Sequence, residues 1–208
     1  MRLRGLYAIT DGAPRLLERV AAAIAGGAAV VQYRDKAASG TLRREREATD
    51  VLAVCRAHGV PLIINDDVAL AATVGADGVH LGRDDAAVRE ARRVLGAAAI
   101  IGVSCYNDFD LAVAAQLAGA SYVAFGRFFL SHTKPCAVSA PLDLIRQAKA
   151  QLSIPVVAIG GITPDNAAPL IDAGVDMLAV VHGIFGQTNP EQAARHYTQL
   201  FGHLRNHP

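Results

Sequence analysis

The 208 residues suit one folded unit with a sizeable core, and 52% of them are hydrophobic while aromatics make up only 5%, an aliphatic composition of the α/β kind. With 20 Lys and Arg against 19 Asp and Glu, a net charge of +1, and no long block of one sign, the chain has no electrostatic footprint for nucleic acid or for a membrane surface. The cysteines, Cys55, Cys105 and Cys136, lack C-x-x-C spacing, so they suggest neither a disulfide framework nor a zinc site and fit reduced thiols.

The basic start MRLR leads into an apolar run that ends at Asp11, too short for the core of a secretory signal. The longest apolar stretch, Val20 to Val31, is broken by Gly26 and Gly27 and falls short of a membrane span. The expectation is a soluble cytoplasmic protein; its oligomeric state, including a homo-oligomer, stays open.

In chain order, the aliphatic runs are GLYAITD (5–11), AVVQYRDK (29–36), PLIIND (61–66), GVHLG (78–82), IIGVSC (100–105), YVAFGRFF (122–129), IPVVAIGG (154–161) and MLAVVHG (177–183). Each is short and rich in Val or Ile, as strands buried on both faces are. Between them lie segments of helical spacing such as LRREREATDVLAVCRAHG and NAAPLIDAG, which end in a C-cap glycine. The junctions GGAAV, GADGV, GASYV and GVDML repeat that glycine two or three residues before a strand. Strand and helix alternating eight times predicts a single-domain (β/α)8 TIM barrel over residues 1–208, with an open doubly wound sheet as the alternative. Residues 205–208 are expected to fray.

Polar residues gather at the carboxyl ends of these strands, where a barrel of this kind carries its active site. Arg34, Asp35 and Lys36 end the second run; Asn65, Asp66 and Asp67 follow the third, and Arg83, Asp84 and Asp85 the fourth. Ser104 closes the fifth, Ser131, Thr133 and Lys134 follow the sixth, Gly160 and Gly161 end the seventh, and His182 with Gly183 ends the eighth. Junctions at the opposite end, such as HGVP, AGAS and AGVD, are bland.

Each group also has a structural explanation. Arg34 and Lys36, with Gln32 at the same alternation, could form a salt-bridged ring; Asp67 suits a helix N-cap, and Asp84 and Asp85 suit a helix start. Acidic ends on adjacent strands point instead to a hard cation such as Mg²⁺. The glycines of AIGGIT and VVHGIF either permit tight turns or present backbone N–H groups to a phosphate. His58, His196, His203 and His207 read as surface residues and His80 as a satisfied interior histidine; no base pairs visibly with Cys105.

Taken together, YAITD, VQYRDK, INDDVALA, GADGVHLGRDD, GVSC, the S-x-T-K of SHTK and AIGGI, in this order and spacing, resemble the thiamine phosphate synthase family over nearly the whole chain. The resemblance implies a (β/α)8 barrel that joins a pyrimidine methyl diphosphate to a thiazole phosphate and releases pyrophosphate with Mg²⁺. By matching position it implies that Gln32, Arg34, Lys36, Asn65 and Lys134 hold the pyrimidine diphosphate and that Asp66 and Asp85 ligate the metal. It places Ser104 near the pyrimidine and the leaving group, and Ser131, Thr133, Gly161, Val181 and His182 around the thiazole phosphate. Arg34, Lys36, Ser104 and Lys134 would carry the catalysis. The chain departs from the family pattern in GRFFLSHTK, with Arg127 and Leu130 for prolines and Ser131 for threonine, and in His182 for a serine. A thiazole tautomerase on the same barrel and a non-catalytic regulatory ligand-binding barrel are the rival functions; Asp66, Asp85, Lys36 and Lys134 together argue against the first.

Overall fold

The computed structural model describes residues 3–35, 40–82, 85–129 and 140–203. Strand and helix alternate from β1 to α8: β1 (Gly5–Ile9), α1 (Leu16–Ala25), β2 (Ala28–Tyr33), α2 (Thr41–Ala57), β3 (Leu62–Asn65), α3 (Val68–Val74), β4 (Gly78–Leu81) and α4 (Asp85–Leu95). The second half adds β5 (Ile100–Tyr106), α5 (Phe109–Leu117), β6 (Tyr122–Phe125), α6 (Leu142–Gln151), β7 (Val156–Ile159), α7 (Ala168–Asp172), β8 (Met177–Val180), α8 (His182–Phe185) and α9 (Pro190–His203). Every neighbouring pair of strands is parallel, and β1 closes on β8 with Gly5 opposite Met177 and Ala8 opposite Val180. That closing ladder makes the sheet a (β/α)8 barrel and rules out the open doubly wound alternative.

Alternation along each strand divides the apolar residues between two cores. Leu6, Ala8, Val31, Ile64, Val79, Ile101, Val103, Val123 and Val156 face outward and pack under the helices, where Val20, Leu52, Ile145 and Leu170 meet them. Tyr7, Ile9, Val30, Ile63, Tyr122, Ala124, Val157, Met177 and Ala179 fill the barrel interior. Gly102 makes that filling possible. A Cβ there would stand 2.0 Å from Cζ of Tyr122, so the tyrosine ring occupies the space that a β5 side chain would need.

All but one of the strands stop sooner than their aliphatic runs suggest, the exception being β5, which continues one residue further to Tyr106. The third ladder ends at Asn65 because Asp66 turns into the left-handed region at φ 63°, and the seventh ends at Ile159 because Gly160 takes φ 103°. His182 does not end the eighth strand: that strand ends at Val180, and His182 opens α8. Asp67 caps α3, its carboxylate accepting from the Leu70 N–H at 2.9 Å while also meeting Arg44 at 3.1 Å.

A second device fixes the amino ends of three strands. Asp77, immediately before β4, accepts from the Leu62 N–H of β3 at 2.8 Å, and Ser121, before β6, accepts from the Ile101 N–H of β5 at 3.0 Å. Asp176, before β8, accepts from the Val156 N–H of β7 at 2.8 Å. In each case the residue lies two positions after the glycine that ends the preceding helix.

Candidate active site

The carboxyl ends of the strands surround a cavity of about 600 Å³. Of the residues singled out from sequence, Gln32, Arg34, Asn65, Asp66, Ser104, Gly161, Val181 and His182 all line it. They arrive from five different strands, which only the closed barrel brings together. Lys36, Ser131, Thr133 and Lys134 lie outside the described residues, as does the side chain of Asp85, whose backbone begins α4. Tyr7, Tyr106, Arg127, Thr163 and Gln187 also contribute to the wall.

Arg34 is set by Thr10, the last polar residue of the YAIT run. The Arg34 N–H donates to Thr10 Oγ1 at 2.9 Å, and the same hydroxyl donates to the Arg34 carbonyl at 3.2 Å, so β1 fixes where β2 releases its guanidinium. Burial lowers the Arg34 pKa below its ordinary value, while the Asp66 carboxylate pulls it back up. A partly desolvated arginine of this kind remains charged and attracts an anion more strongly than one in water does.

Asp66 sits where the β3 backbone turns left-handed, a conformation that short polar side chains tolerate. Its N–H donates to the His80 carbonyl at 2.8 Å, and the Asn65 Nδ2 group donates to its carboxylate at 2.7 Å. The carboxylate is thereby held on the cavity wall and remains open to solvent. Among the described residues, no three His, Cys, Asp or Glu side chains converge as a metal cage.

Around Gly160 and Gly161 two loops of the wall pack closely together. A Cβ on Gly160 would lie 2.3 Å from Cβ of Arg127, so the glycine lets the segment after β6 press against the segment after β7. Gly161 takes φ 65°, and Asn166 Nδ2 donates to its carbonyl at 3.0 Å. His182 is exposed at the rim, its ring lying over Gly186, where a Cβ would meet Nδ1 at 2.3 Å.

His80 is buried in the barrel floor, its Nδ1 2.9 Å from the Tyr122 hydroxyl and its Nε2 2.8 Å from Ser104 Oγ. Burial pushes its pKa down to about 4, with Asp66 opposing, so the imidazole is neutral at pH 7. The expected satisfied interior histidine is thus present, and it touches a predicted site residue. Tyr7 and Tyr122 were not singled out from sequence; in their runs they read as ordinary core residues, and the only available signal was their inward position in the alternation. Cys55 and Cys105 are buried outside any disulfide, and burial pushes the Cys55 thiol up to about 12, so it is not a nucleophile.

The sequence model for the family described as Thiamine monophosphate synthase matches residues 6–184. The chain is 54% identical to the Thiamine-phosphate synthase of Thiobacillus denitrificans over 200 residues, covering 95% of this chain and 94% of that one. It is 53% identical to the Thiamine-phosphate synthase of Thioalkalivibrio sulfidiphilus over 204 residues, covering 96% of each. Among solved structures, the thiamine phosphate pyrophosphorylase from Pyrococcus furiosus superposes with a TM-score of 0.87 at 31% identity, covering 98% of both chains.

Proposed function

The chain belongs to the thiamine monophosphate synthase family, and from that premise we propose how its barrel mouth performs the reaction. The enzyme is a transferase that condenses a pyrimidine and a thiazole moiety into thiamine phosphate. The substrates are 4-amino-2-methyl-5-pyrimidinylmethyl diphosphate and a thiazole phosphate. The bond between the pyrimidine CH₂ and the bridging oxygen breaks first, its electron pair leaving with pyrophosphate. The thiazole nitrogen then gives its lone pair to the benzylic-type carbon, forming the C–N bond of the thiazolium product.

The observation that carries this reading is the convergence of Gln32, Arg34, Asn65, Asp66, Ser104, Gly161, Val181 and His182 on one cavity. Gln32, Asn65 and Ser104 hold the pyrimidine end. Arg34, joined by Lys36 and Lys134, holds the diphosphate and takes up the charge that grows on it as the bond breaks, the kind of fixed electrostatic support that lowers such barriers most. Gly161, Val181 and His182, joined by Ser131 and Thr133, hold the thiazole phosphate so that its nitrogen lies close to the carbon it attacks. No side chain has to remove a proton from carbon, which accords with a neutral, buried His80.

Mg²⁺ fits this mouth, because it needs only one or two carboxylates and takes its remaining ligands from water and phosphate oxygens. Asp66 offers an exposed carboxylate oriented by Asn65, and Asp85 begins the helix after the adjacent strand. Bound there, the ion would supply further charge neutralisation for the departing pyrophosphate. Substrates that are charged phosphate esters, together with reduced buried thiols, favour the cytoplasm as the enzyme's location.

Ligand-linked melting tests this assignment. Pyrophosphate with Mg²⁺ should raise the melting temperature of the wild-type protein, since a ligand that binds only the native state stabilises it. Arg34→Ala should show a clearly smaller rise. Equal rises in the two proteins would remove Arg34 from the diphosphate site.

A further inference from the structure

Five side chains from five strands form one continuous line of hydrogen bonds through the barrel interior. Gln32 Nε2 of β2 donates to the Tyr7 hydroxyl of β1 at 2.7 Å, and that hydroxyl lies 2.8 Å from the Tyr122 hydroxyl of β6. Tyr122 continues to Nδ1 of His80 on β4 at 2.9 Å, and Nε2 of His80 reaches Ser104 Oγ of β5 at 2.8 Å. The rings are braced against one another: Tyr7 meets Tyr122 edge-on at 85°, and His80 stacks on Tyr122 with 22° between planes.

Each hydroxyl in the line has one proton to give, and both ring nitrogens of His80 face hydroxyl groups, so a single N–H on the ring satisfies the line only if its bonds all run in one direction. Tyr7 accepts from Gln32, which leaves its own proton for Tyr122. Tyr122 then donates to Nδ1 of His80. The imidazole proton is on Nε2, and Ser104 accepts it. If the Tyr7–Tyr122 bond ran the other way, the Tyr7 proton would be left without an acceptor in a buried site, which is costly.

We propose that Gln32, Tyr7, Tyr122 and His80 form a positioning relay that fixes Ser104 as a hydrogen-bond donor to the substrate. With its lone pair engaged by His80, Ser104 turns its proton into the cavity it lines, towards an acceptor atom of the pyrimidine diphosphate. Turning over the Gln32 amide would reverse every bond in the line, so that Ser104 would donate to His80 and present only lone pairs to the cavity. The donor character of a residue on one side of the barrel is thus set by an amide on the other. The relay's catalytic consequence rests on the placement of the pyrimidine diphosphate proposed above; its internal direction does not.

Two measurements test it. Imidazole ¹⁵N NMR should show His80 protonated at Nε2, its signals among those of the seven histidines assigned by their loss in His80→Asn. In a kinetic cycle, Tyr122→Phe keeps the ring packing but breaks the line, and should lower kcat about tenfold, roughly what one neutral hydrogen bond is worth, with little change in KM. Tyr122→Phe combined with Ser104→Ala should be no slower than Ser104→Ala alone. An Nδ1-protonated His80, or a double variant slowed by the product of the single effects, would overturn the relay. A wild type with the Nε2 tautomer but no synthase activity would instead count against the function and leave the relay's direction standing. The tautomer measurement needs no Tyr122 variant, so it decides the relay's direction even if Tyr122→Phe fails to fold.

Discussion

Arg34 and Asp66 leave neighbouring strands with opposite charges and share the cavity wall, yet each is positioned by different chemistry. Thr10 clamps the Arg34 backbone from β1, while Asp66 is held by a left-handed turn and by Asn65. The carboxylate is solvent-exposed and the guanidinium only partly buried, so their mutual attraction contributes little to folding, and what each offers a ligand matters more. Arg34→Ala should therefore lower kcat about 100-fold or more, the usual loss when one fixed donor to a developing anion is removed, while its melting temperature without ligand stays close to that of the wild type. Initial rates of pyrophosphate release with saturating substrates and Mg²⁺ would check it, and a near wild-type rate would return Arg34 to a structural role. At this scale the sequence showed its charges plainly, because charge at the end of an aliphatic run is conspicuous. It hid Tyr7 and Tyr122, whose hydroxyls matter only once the barrel has closed and brought β1, β4 and β6 within hydrogen-bonding reach.

Three of the strand–helix units, those that begin with β3, β5 and β7, are fixed at their amino ends by one shared device. The glycine of GADGV, GASYV and GVDML follows the end of a helix, as the sequence suggests; the polar residue two positions later has the further task of accepting the first or second N–H of the preceding strand. That contact crosses 15 to 20 residues of chain, which is why no local pattern revealed it. Asp176 also pairs with Lys149 at 2.6 Å. Asp176→Ala leaves the Val156 N–H without its acceptor, and should cost about 1–3 kcal/mol of stability in urea unfolding. Asp176→Asn should lose less, since its amide oxygen can still accept. Both variants should keep wild-type kcat, because the contact lies at the opposite end of the barrel from the cavity; a fall in kcat without a fall in stability would refute the assignment. All eight strands were legible from sequence, but their ends were not: the runs read as PLIIND and IPVVAIGG extend to Asp66 and Gly161, whereas the ladder stops at Asn65 and Ile159, where the backbone of Asp66 and Gly160 turns to positive φ.

As a whole, the molecule places its apolar packing in two concentric cores, and the predicted polar groups that lie among the described residues gather at one end. The barrel class followed from the eightfold alternation, while closure itself rests on the β1–β8 ladder, a pairing across nearly the whole chain that no local pattern could reveal. Only closure lets Gln32 and Ser104 belong to one site. The reaction assigned to that site makes a stoichiometric demand. Purified protein supplied with 4-amino-2-methyl-5-pyrimidinylmethyl diphosphate, the thiazole phosphate and Mg²⁺ should yield one thiamine phosphate for each pyrophosphate released, and omission of either organic substrate should abolish the thiamine phosphate. Chromatographic quantitation of both products would contradict the account if thiamine phosphate failed to form with all components present.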